Sequence, residues 1–232
     1  MVGVAQALSG AEGSAVTSPP PLTGETRVER SAGARAKRTL DVALSALLLI
    51  AFLPLMALIG LAVAVSSAGP VIYRQARDGI GQRPFTMLKF RTMYHNSTVD
   101  VAALLLADGS EMSICTKPRH DPRITPVGRF LRKTSLDELP QLINVLRGDM
   151  SLVGPRPNVR PENQLLRPEH RARRLSVKPG MTGLWQVSGR SSTTADEAIR
   201  LDLRYVDHWS LQLDLLILLR TLPAVLRTSN AR

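Results

Sequence analysis

The feature that most constrains this chain is a segment without a charged residue, residues 42–73, which is rich in leucine, alanine and valine as far as Val65. About 20 apolar residues are enough to cross the roughly 30 Å hydrocarbon core of a bilayer. The alternative is a buried helix of a soluble domain, but such helices seldom remain apolar over this length. The sequence therefore predicts a segment inserted in a membrane.

Pro54 lies near the middle of this segment and leaves about 12 residues on either side. Each side would form a helix only about 18 Å long, too short to cross a bilayer alone. Because proline cannot donate a backbone hydrogen bond, the carbonyl of Ile50 loses its partner and the helix should bend. Two topologies follow, a re-entrant hairpin bent at Pro54 and a kinked helix that spans the membrane.

Basic residues flank the apolar segment on both sides. Those before it are Arg27, Arg30, Arg35, Lys37 and Arg38, and those after it are Arg74, Arg77, Arg83 and Lys89. Since positive charge marks the cytoplasmic side of a membrane segment, both ends are predicted to be cytoplasmic. This favours the re-entrant hairpin over the kinked span.

The net charge of +11 points to an anionic partner, which is a nucleic acid, a phospholipid or a phosphorylated substrate. Aromatic residues make up only 4%, few for stacking on bases, and the sequence has no recognisable DNA-reading helix. No nucleic-acid partner is therefore expected. Cys115 is the single cysteine, which excludes an internal disulfide, and the four histidines lack the spacing of zinc ligands.

The chain divides into three predicted parts: a disordered tail (residues 1–34), the membrane hairpin (35–70) and a catalytic domain (71–232). We predict an α-rich α+β fold, in which a re-entrant helix-break-helix precedes a small cytosolic domain with short strands and interfacial amphipathic helices. The first strands are expected at residues 71–73 and 85–88, around a turn with Gly79 and Gly81.

Helices are predicted at residues 99–107, 125–133, 135–145, 194–207 and 209–226. The third begins at Ser135-Leu136-Asp137-Glu138, which matches the capping box, and ends before Gly148. The last is too short and too charged to span a bilayer, so it suits a helix lying on the membrane surface, with an ordinary core-packing helix as the alternative.

Asp137 and Glu138 are adjacent carboxylates in a strongly cationic part of the chain. They follow six basic residues: Lys117, Arg119, Arg123, Arg129, Arg132 and Lys133. These cations and the start of a helix should favour ionised carboxylates, which can attack phosphorus or hold Mg²⁺. Alternatively, Glu138 only completes the cap begun by Ser135, and Asp137 only interacts with the helix dipole. The residues alone leave both interpretations open.

Three other segments carry basic candidates. Arg156 stands between Pro155 and Pro157, which restrict the backbone and reduce the entropy lost in presenting the guanidinium. Lys89 lies on a predicted strand, and Arg190 closes a glycine-rich segment whose glycines permit close approach of a ligand. A purely structural loop would explain Arg156 equally well, and a solvated charged edge is the alternative for the strand that carries Lys89.

Six motifs occur in a characteristic order. They are KRTLD (residues 37–41), LKFRTM (88–93), DPRIT (121–125), SLDELPQL (135–142), GDMSLVGPRP (148–157) and KPGMTGLWQVSGR (178–190). Together, over about residues 37–227, they resemble the bacterial sugar transferases, small monotopic phosphoglycosyl transferases that begin exopolysaccharide and O-antigen repeat units. One position departs: some relatives carry a serine just before the mid-membrane proline, where this chain has Leu53.

The resemblance implies a two-step transfer through a covalent intermediate. Asp137 would attack the sugar-bearing phosphorus of a UDP-sugar and expel UMP, and polyprenyl (undecaprenyl) phosphate would then take the phosphosugar. Glu138 would help to place Mg²⁺, with Asp137 and Glu138 as its ligands, or would manage protons. Phosphate and nucleotide binding would fall to four cations: Lys89, Arg132, Arg156 and Arg190.

The resemblance also implies a location in the bacterial inner membrane, with the catalytic domain facing the cytoplasm. The segment GLWQ (183–186) and the ending TLP (221–223) favour an exopolysaccharide enzyme that transfers galactose or glucose. A homo-oligomer is left open. The alternative from another class is a catalytically silent scaffold of a polysaccharide assembly complex, against which the presence of both Asp137 and Glu138 argues.

Overall fold

The computed structural model describes residues 24–95, 121–188 and 194–230, with side chains from residue 33 to residue 224 within these ranges. Its helices are α1 (Gly24–Ser66), α2 (Pro126–Thr134), α3 (Gln141–Arg147), α4 (Arg160–Gln164), α5 (Pro168–Arg174), α6 (Leu184–Ser188), α7 (Ala195–Asp207) and α8 (Leu211–Asn230). Its strands are β1 (Ile72–Asp78), β2 (Pro84–Phe90), β3 (Ser151–Val153) and β4 (Gly180–Thr182). The described part is rich in helix and has short strands, as predicted.

The first helix, α1, is long and continues through Pro54, so the predicted break between two helices is wrong. It begins at Gly24, so residues 24–34, predicted above to belong to a disordered tail, are helical, because this stretch is rich in Glu, Ala and Arg, which favour helix. Residues 1–23 lie outside the described residues. The span Gly33–Ser66 reaches a mean hydropathy of 2.8 over 18 residues, of which 11% are buried. A soluble core helix would be mostly buried, so this exposure supports membrane association.

The two faces of α1 differ. Asp41, Ser45, Ile59 and Val63 are buried and recur at multiples of about one helical turn, and this face packs along α2, α3, β2 and β3. The opposite face exposes large apolar side chains: Leu47, Ile50, Leu53, Leu58, Leu61 and Val65. The helix therefore lies along the domain with one face and presents an apolar surface with the other.

The described strands form two small sheets. β1 and β2 are antiparallel, from Ile72 opposite Phe90 to Asp78 opposite Pro84, which confirms the predicted hairpin. Gly81 and Gln82 both have positive φ in its turn (62° and 63°), a conformation that Gly81 adopts without steric cost. β3 and β4 pair in parallel and were missed from sequence, because three-residue strands are too short to show an alternating pattern.

Most of the predicted helices are confirmed. Residues 125–133 and 194–207 correspond to α2 and α7, whose first turns are capped by the hydroxyls of Thr125 and Thr194. Gly148 ends α3 with a left-handed backbone (φ 89°), as predicted. The predicted helix at 99–107 lies outside the described residues.

The C-terminal helix α8 packs against the domain with one face, as the core-packing alternative predicts, and exposes apolar side chains on another. Asp214 and Ile217 are buried against the domain. Large apolar side chains are exposed on the same helix: Leu215, Leu216, Leu219 and Leu222. The helix therefore packs on the core and also presents an apolar surface.

Buried apolar side chains form two clusters, which meet next to the candidate site. The first contains Met87, Leu142, Val145, Met150, Leu152, Val153, Tyr205 and Ile217, and the second contains Ile59, Val63, Phe90 and Leu131. Leu139 packs against both. Because Leu139 directly follows Asp137 and Glu138 in the chain, these two acids lie where the clusters meet.

Candidate active site

Asp137 and Glu138, hereafter the acid pair, lie on one turn of 3-10 helix, Leu136–Glu138, between α2 and α3. Ser135 ends α2 with a left-handed backbone (φ 58°), which costs a non-glycine residue about 1 kcal/mol. The predicted capping box is wrong, since the Ser135 side chain makes no cap hydrogen bond and α3 begins only after Pro140. Because Pro140 has no N–H to continue a helix, the acids occupy a separate turn.

Lys89 of β2 reaches the acid pair. Its Nζ donates a hydrogen bond to Glu138 Oε1 at 2.7 Å and lies 4.0 Å from Asp137 Oδ2. Asp137 is only 8% exposed. The close ion pair is therefore formed by Lys89 and Glu138, and the more deeply buried Asp137 interacts with Lys89 at a longer distance.

Burial raises the pKa of Asp137 to about 6, and the Glu138 carboxylate adds to the increase, whereas Lys89 and Arg132 oppose it. The expectation that the surrounding cations would dominate is wrong, because it took no account of burial. With a pKa of about 6, the carboxyl group is still mostly ionised at neutral pH. It is also more basic than an ordinary aspartate, which favours attack on phosphorus.

Arg132, in the last turn of α2, is oriented by a hydrogen bond from its Nε to Thr92 Oγ1 at 2.8 Å. Its positive charge acts on the carboxylate of Asp137 and opposes the increase in pKa. Thr92 follows β2, the strand that carries Lys89, so one stretch of chain supports both cations. Arg132 therefore belongs to the electrostatic surroundings of the acid pair.

A shallow depression opens beside Lys89 and Glu138. Its other described lining residues are Arg77, Met87, Gln141, Arg156, Pro157, Gly180, Met181 and Gln186. Among these lining residues, three side chains are cationic and only Glu138 is anionic. The depression is therefore suited to an anionic ligand.

Arg156 lies on the loop after β3, with its guanidinium carbon 5.9 Å from the centroid of the Trp185 ring, a cation–π distance. The buried Arg174 donates to the backbone carbonyl of Arg156 and pairs with Asp202 at 2.8 Å. The loop is thus held from its backbone as well as by its prolines. Sequence reasoning missed Arg174 and Asp202, because no local pattern separates them from the exposed charges of α5 and α7.

The acid pair can be tested as a magnesium site. In the described part of the chain, no three His, Cys, Asp or Glu side chains are grouped so that they would hold a metal ion. Magnesium, however, usually takes one or two protein carboxylates and completes its shell with water and substrate phosphate. Two adjacent carboxylates beside a cation-lined depression fit that donor set, although one oxygen of Glu138 also serves Lys89.

The structure brings together most of the predicted site residues. Asp137, Glu138 and Lys89 are in contact range, Arg132 acts on them through its charge, and Arg156 lines the same depression as Lys89. Two predicted residues are not part of this group. Arg190 lies outside the described residues, and Pro54 belongs to α1.

Arg77 is the cationic lining residue that was not predicted for the site, since its sequence position marks it only as one of the cations that flank the apolar segment. On β1 it is surrounded by Arg74 and Arg83 in the sequence. A stretch with several arginines does not indicate which of them lies in a site. The position of each arginine depends on how β1 pairs with β2 and on how the hairpin contacts the loop after β3.

Comparison with known proteins identifies the family to which this arrangement belongs. The sequence profile described as "Bacterial sugar transferase" matches residues 32–228, most of the chain. The chain belongs to the bacterial sugar transferase family. This confirms the resemblance inferred from the motifs, and membership makes the protein a transferase enzyme.

Three curated relatives illustrate the family. The UDP-glucose:undecaprenyl-phosphate glucose-1-phosphate transferase of Caulobacter vibrioides is 46% identical over 84% of this chain and 71% of its own length. The exopolysaccharide production protein ExoY of Rhizobium meliloti is 42% identical over 90% of this chain and 93% of its own length. The undecaprenyl-phosphate galactose phosphotransferase of Salmonella typhimurium is 46% identical over 84% of this chain, but the match spans only 41% of that longer protein.

Proposed function

We propose that this protein transfers glucose 1-phosphate or galactose 1-phosphate from a UDP-sugar to undecaprenyl phosphate, releases UMP and so begins an exopolysaccharide or O-antigen. The observation that carries the proposal is the buried Asp137 beside Glu138 and Lys89, next to a depression lined by arginines. The names of the Caulobacter and Salmonella relatives support the lipid acceptor and the two sugars, and that of ExoY supports exopolysaccharide synthesis.

In the first half-reaction, a carboxylate oxygen of Asp137 attacks the phosphorus that bears the sugar. A P–O bond forms to Asp137, the bridging P–O bond of the diphosphate breaks, and UMP leaves with the bonding electron pair. Arg156 stabilises the negative charge that develops on the departing phosphate, and Lys89, beside Asp137, stabilises the phosphate under attack. The result is a phosphosugar covalently bound to Asp137.

In the second half-reaction, an oxygen of undecaprenyl phosphate attacks the same phosphorus, and the bond to Asp137 breaks to regenerate the carboxylate. The small exposure of Asp137 limits the access of water, which would otherwise hydrolyse the intermediate. Magnesium, held by Asp137 and Glu138, would when bound neutralise the charge of the phosphate oxygens.

The same proposal includes a re-entrant α1 with both ends on the cytoplasmic side of the inner membrane. Near the start of its apolar part, Lys37 pairs with Asp214 at 2.6 Å, and near its end Arg91 donates to the carbonyls of Val63 and Ser67 at 3.1 and 2.6 Å. Both ends thus contact one domain. A spanning helix would keep these contacts only if the polar domain followed it into the hydrocarbon, which is costly.

Thiol labelling checks this topology. With Cys115 replaced by serine, we introduce single cysteines as Arg35→Cys and Gln75→Cys, one on each side of the apolar segment. A membrane-impermeant reagent should reach both from the cytoplasmic face and neither from the opposite face. Labelling of the two positions from opposite faces would establish the spanning helix instead.

Release of UMP checks the chemistry. Purified protein in lipid nanodiscs receives Mg²⁺, undecaprenyl phosphate and one of three donors, UDP-glucose, UDP-galactose or UDP-N-acetylglucosamine. UMP should appear with one of the first two, and without lipid acceptor the labelled phosphosugar should remain bound to the protein. Absence of UMP with every donor would favour the catalytically silent scaffold.

A further inference from the structure

Arg77 lines the depression together with Arg156, and two hydrogen bonds orient its guanidinium. Its Nη1 donates to the carbonyl of Pro157 at 3.2 Å and its Nη2 donates to Gln75 Oε1 at 2.6 Å. Its Nε is buried and has no hydrogen-bond partner among the described residues. A guanidinium has five N–H donors, of which these two contacts use one on each terminal nitrogen. Because the side chain lines the depression, an anion bound there can accept from its terminal nitrogens.

The charges around Arg77 favour an anion as that ligand. Burial lowers the pKa of Arg77, Glu162 opposes the decrease, and Arg156 adds to it, so the two guanidinium groups repel one another across the depression. Arginine nevertheless stays protonated at neutral pH. An anion between the two groups would replace this repulsion with two attractive, hydrogen-bonded contacts.

Glu162 of α4 is the acidic neighbour of this arginine. Its Oε2 lies 3.7 Å from Arg77 Nη1, beyond hydrogen-bond range, and accepts a hydrogen bond from the backbone N–H of Val159 at 3.2 Å. The side chain of Glu162 is 31% exposed, against 13% for Arg77. The ion pair is therefore loose, and it is formed by a carboxylate that has water available as another partner.

We propose that Arg77 is a second guanidinium, beside Arg156, for the phosphate of the nucleotide, and that Glu162 competes with this phosphate for Arg77. The inference rests on the proposed function, since the ligand it names is the nucleotide part of a nucleoside diphosphate sugar. Arg77 and Arg156 hold the phosphate that departs with the nucleotide, while Lys89 and the acid pair act on the phosphate that carries the sugar. By competing for Arg77, Glu162 lowers the affinity of this arginine for the nucleotide phosphate and so favours release of the nucleotide.

Binding of UMP and of uridine, measured by calorimetry on the full-length protein in nanodiscs, tests the inference, because the two ligands differ only in the phosphate. Arg77→Met should raise the Kd of UMP about tenfold and leave that of uridine unchanged. Glu162→Gln, which keeps an acceptor for Val159, should lower the Kd of UMP about two- to fivefold. The matched control is Arg83→Met, which removes an exposed arginine from the β1–β2 turn and should change neither value.

The outcomes separate the inference from the function on which it rests. If the wild type releases UMP from a UDP-sugar but Arg77→Met binds UMP as the wild type does, the inference fails and the function stands. If the wild type neither releases nor binds UMP, the function itself fails. Should Arg77→Met not fold, Glu162→Gln decides, and an unchanged or higher Kd for UMP in that variant overturns the competition.

Discussion

Two lysine–carboxylate pairs in this protein resemble each other in distance and differ in how the carboxylate is satisfied. Where α1 meets α8, Lys37 Nζ lies 2.6 Å from Asp214 Oδ2, and Asp214 is 1% exposed. The Tyr205 hydroxyl and Trp209 Nε1 donate to the same carboxylate at 2.8 and 3.1 Å. These four residues, the junction cluster, give a buried charge three hydrogen-bond donors.

The acid pair is the opposite case. Lys89 Nζ lies 2.7 Å from Glu138 but 4.0 Å from Asp137, the more buried of the two carboxylates. Burial and the neighbouring Glu138 therefore raise the pKa of Asp137 to about 6. In the junction cluster, by contrast, burial and then the charge of Asp214 raise the pKa of Tyr205, which keeps its hydroxyl a donor.

This contrast separates a buried carboxylate that stabilises the fold from one that is available for chemistry. A carboxylate surrounded by donors is stabilised as the anion and has no reason to react. A carboxylate that is buried with a distant cation is destabilised as the anion, and it gains when it forms a bond to phosphorus. Substitutions at the two sites should therefore have opposite effects on stability and activity.

Asp137→Asn should have the largest effect, because it removes the proposed nucleophile while preserving its shape. We expect UMP release to fall by a factor of about 1,000 or more, and covalent labelling by the phosphosugar to vanish. Release of UMP is followed with donor, acceptor and Mg²⁺ present, and labelling with donor alone. Asp214→Asn serves as the matched control, and its folded fraction should still be labelled. Normal labelling of Asp137→Asn would remove Asp137 as the nucleophile.

Asp214→Asn should have the largest effect on stability. It leaves the ammonium of Lys37 beside an amide and weakens the bonds from Tyr205 and Trp209, at a cost of about 3 kcal/mol for breaking a mostly buried pair. The melting temperature in detergent, followed by intrinsic fluorescence, measures this loss. Replacing the partner as well, in Lys37→Met/Asp214→Asn, should restore part of it, whereas additive losses would show that the two residues are not coupled.

The two clusters also show which features of the structure can be predicted from the sequence and which cannot. The β1–β2 hairpin and the end of α3 were predicted because Gly79, Gly81 and Gly148 are local signals in the chain. The junction cluster was not predicted, since Lys37 and Asp214 are 177 residues apart and the local sequence around either residue gives no indication of its partner.

The candidate site shows the same limit. Asp137 and Glu138 were singled out by local charge and by their motif, and the structure places them together with Lys89, 49 residues away from Glu138 in the chain. The capping box failed through Pro140, whose missing N–H is visible in the sequence but whose effect on Ser135 is not. The raised pKa of Asp137 depends on burial between two apolar clusters, which is a property of the tertiary packing alone.

Because the pKa of Asp137 is raised, the free energy of unfolding should depend on pH. This effect should be smaller than the loss of stability expected for Asp214→Asn. The folded protein keeps this proton up to about pH 6, whereas the unfolded chain releases it near its ordinary value of 3.8. The contribution of Asp137 to stability is therefore fully present below about pH 4 and is lost as the pH rises through about 6.

Asp137→Asn should consequently be more stable than the wild type at pH 7.5, by about 2 kcal/mol, and should lose most of this advantage at pH 4.5. Melting temperatures of both proteins are compared at the two pH values in the presence of EDTA. The same comparison with Glu138→Gln shows how much of the increase depends on the neighbouring carboxylate, which should make a smaller contribution than burial. A wild type that is the more stable protein at pH 7.5 would contradict the comparison between the two clusters.

Trp209→Phe should have the smallest effect, and it tests whether each hydrogen-bond donor in the junction cluster contributes to stability. It keeps an aromatic ring and removes the N–H that donates to Asp214 at 3.1 Å. The carboxylate retains Lys37 and Tyr205, so we expect a loss of only about 1 kcal/mol, seen as a lower melting temperature with unchanged UMP release per folded molecule. Tyr205→Phe removes a second donor, whose single O–H is shared between Asp214 and the carbonyl of Val153 at 3.0 Å, and should therefore cost more. Equal losses in the two variants would mean that the packing of the rings, and not the number of donors around Asp214, stabilises the junction.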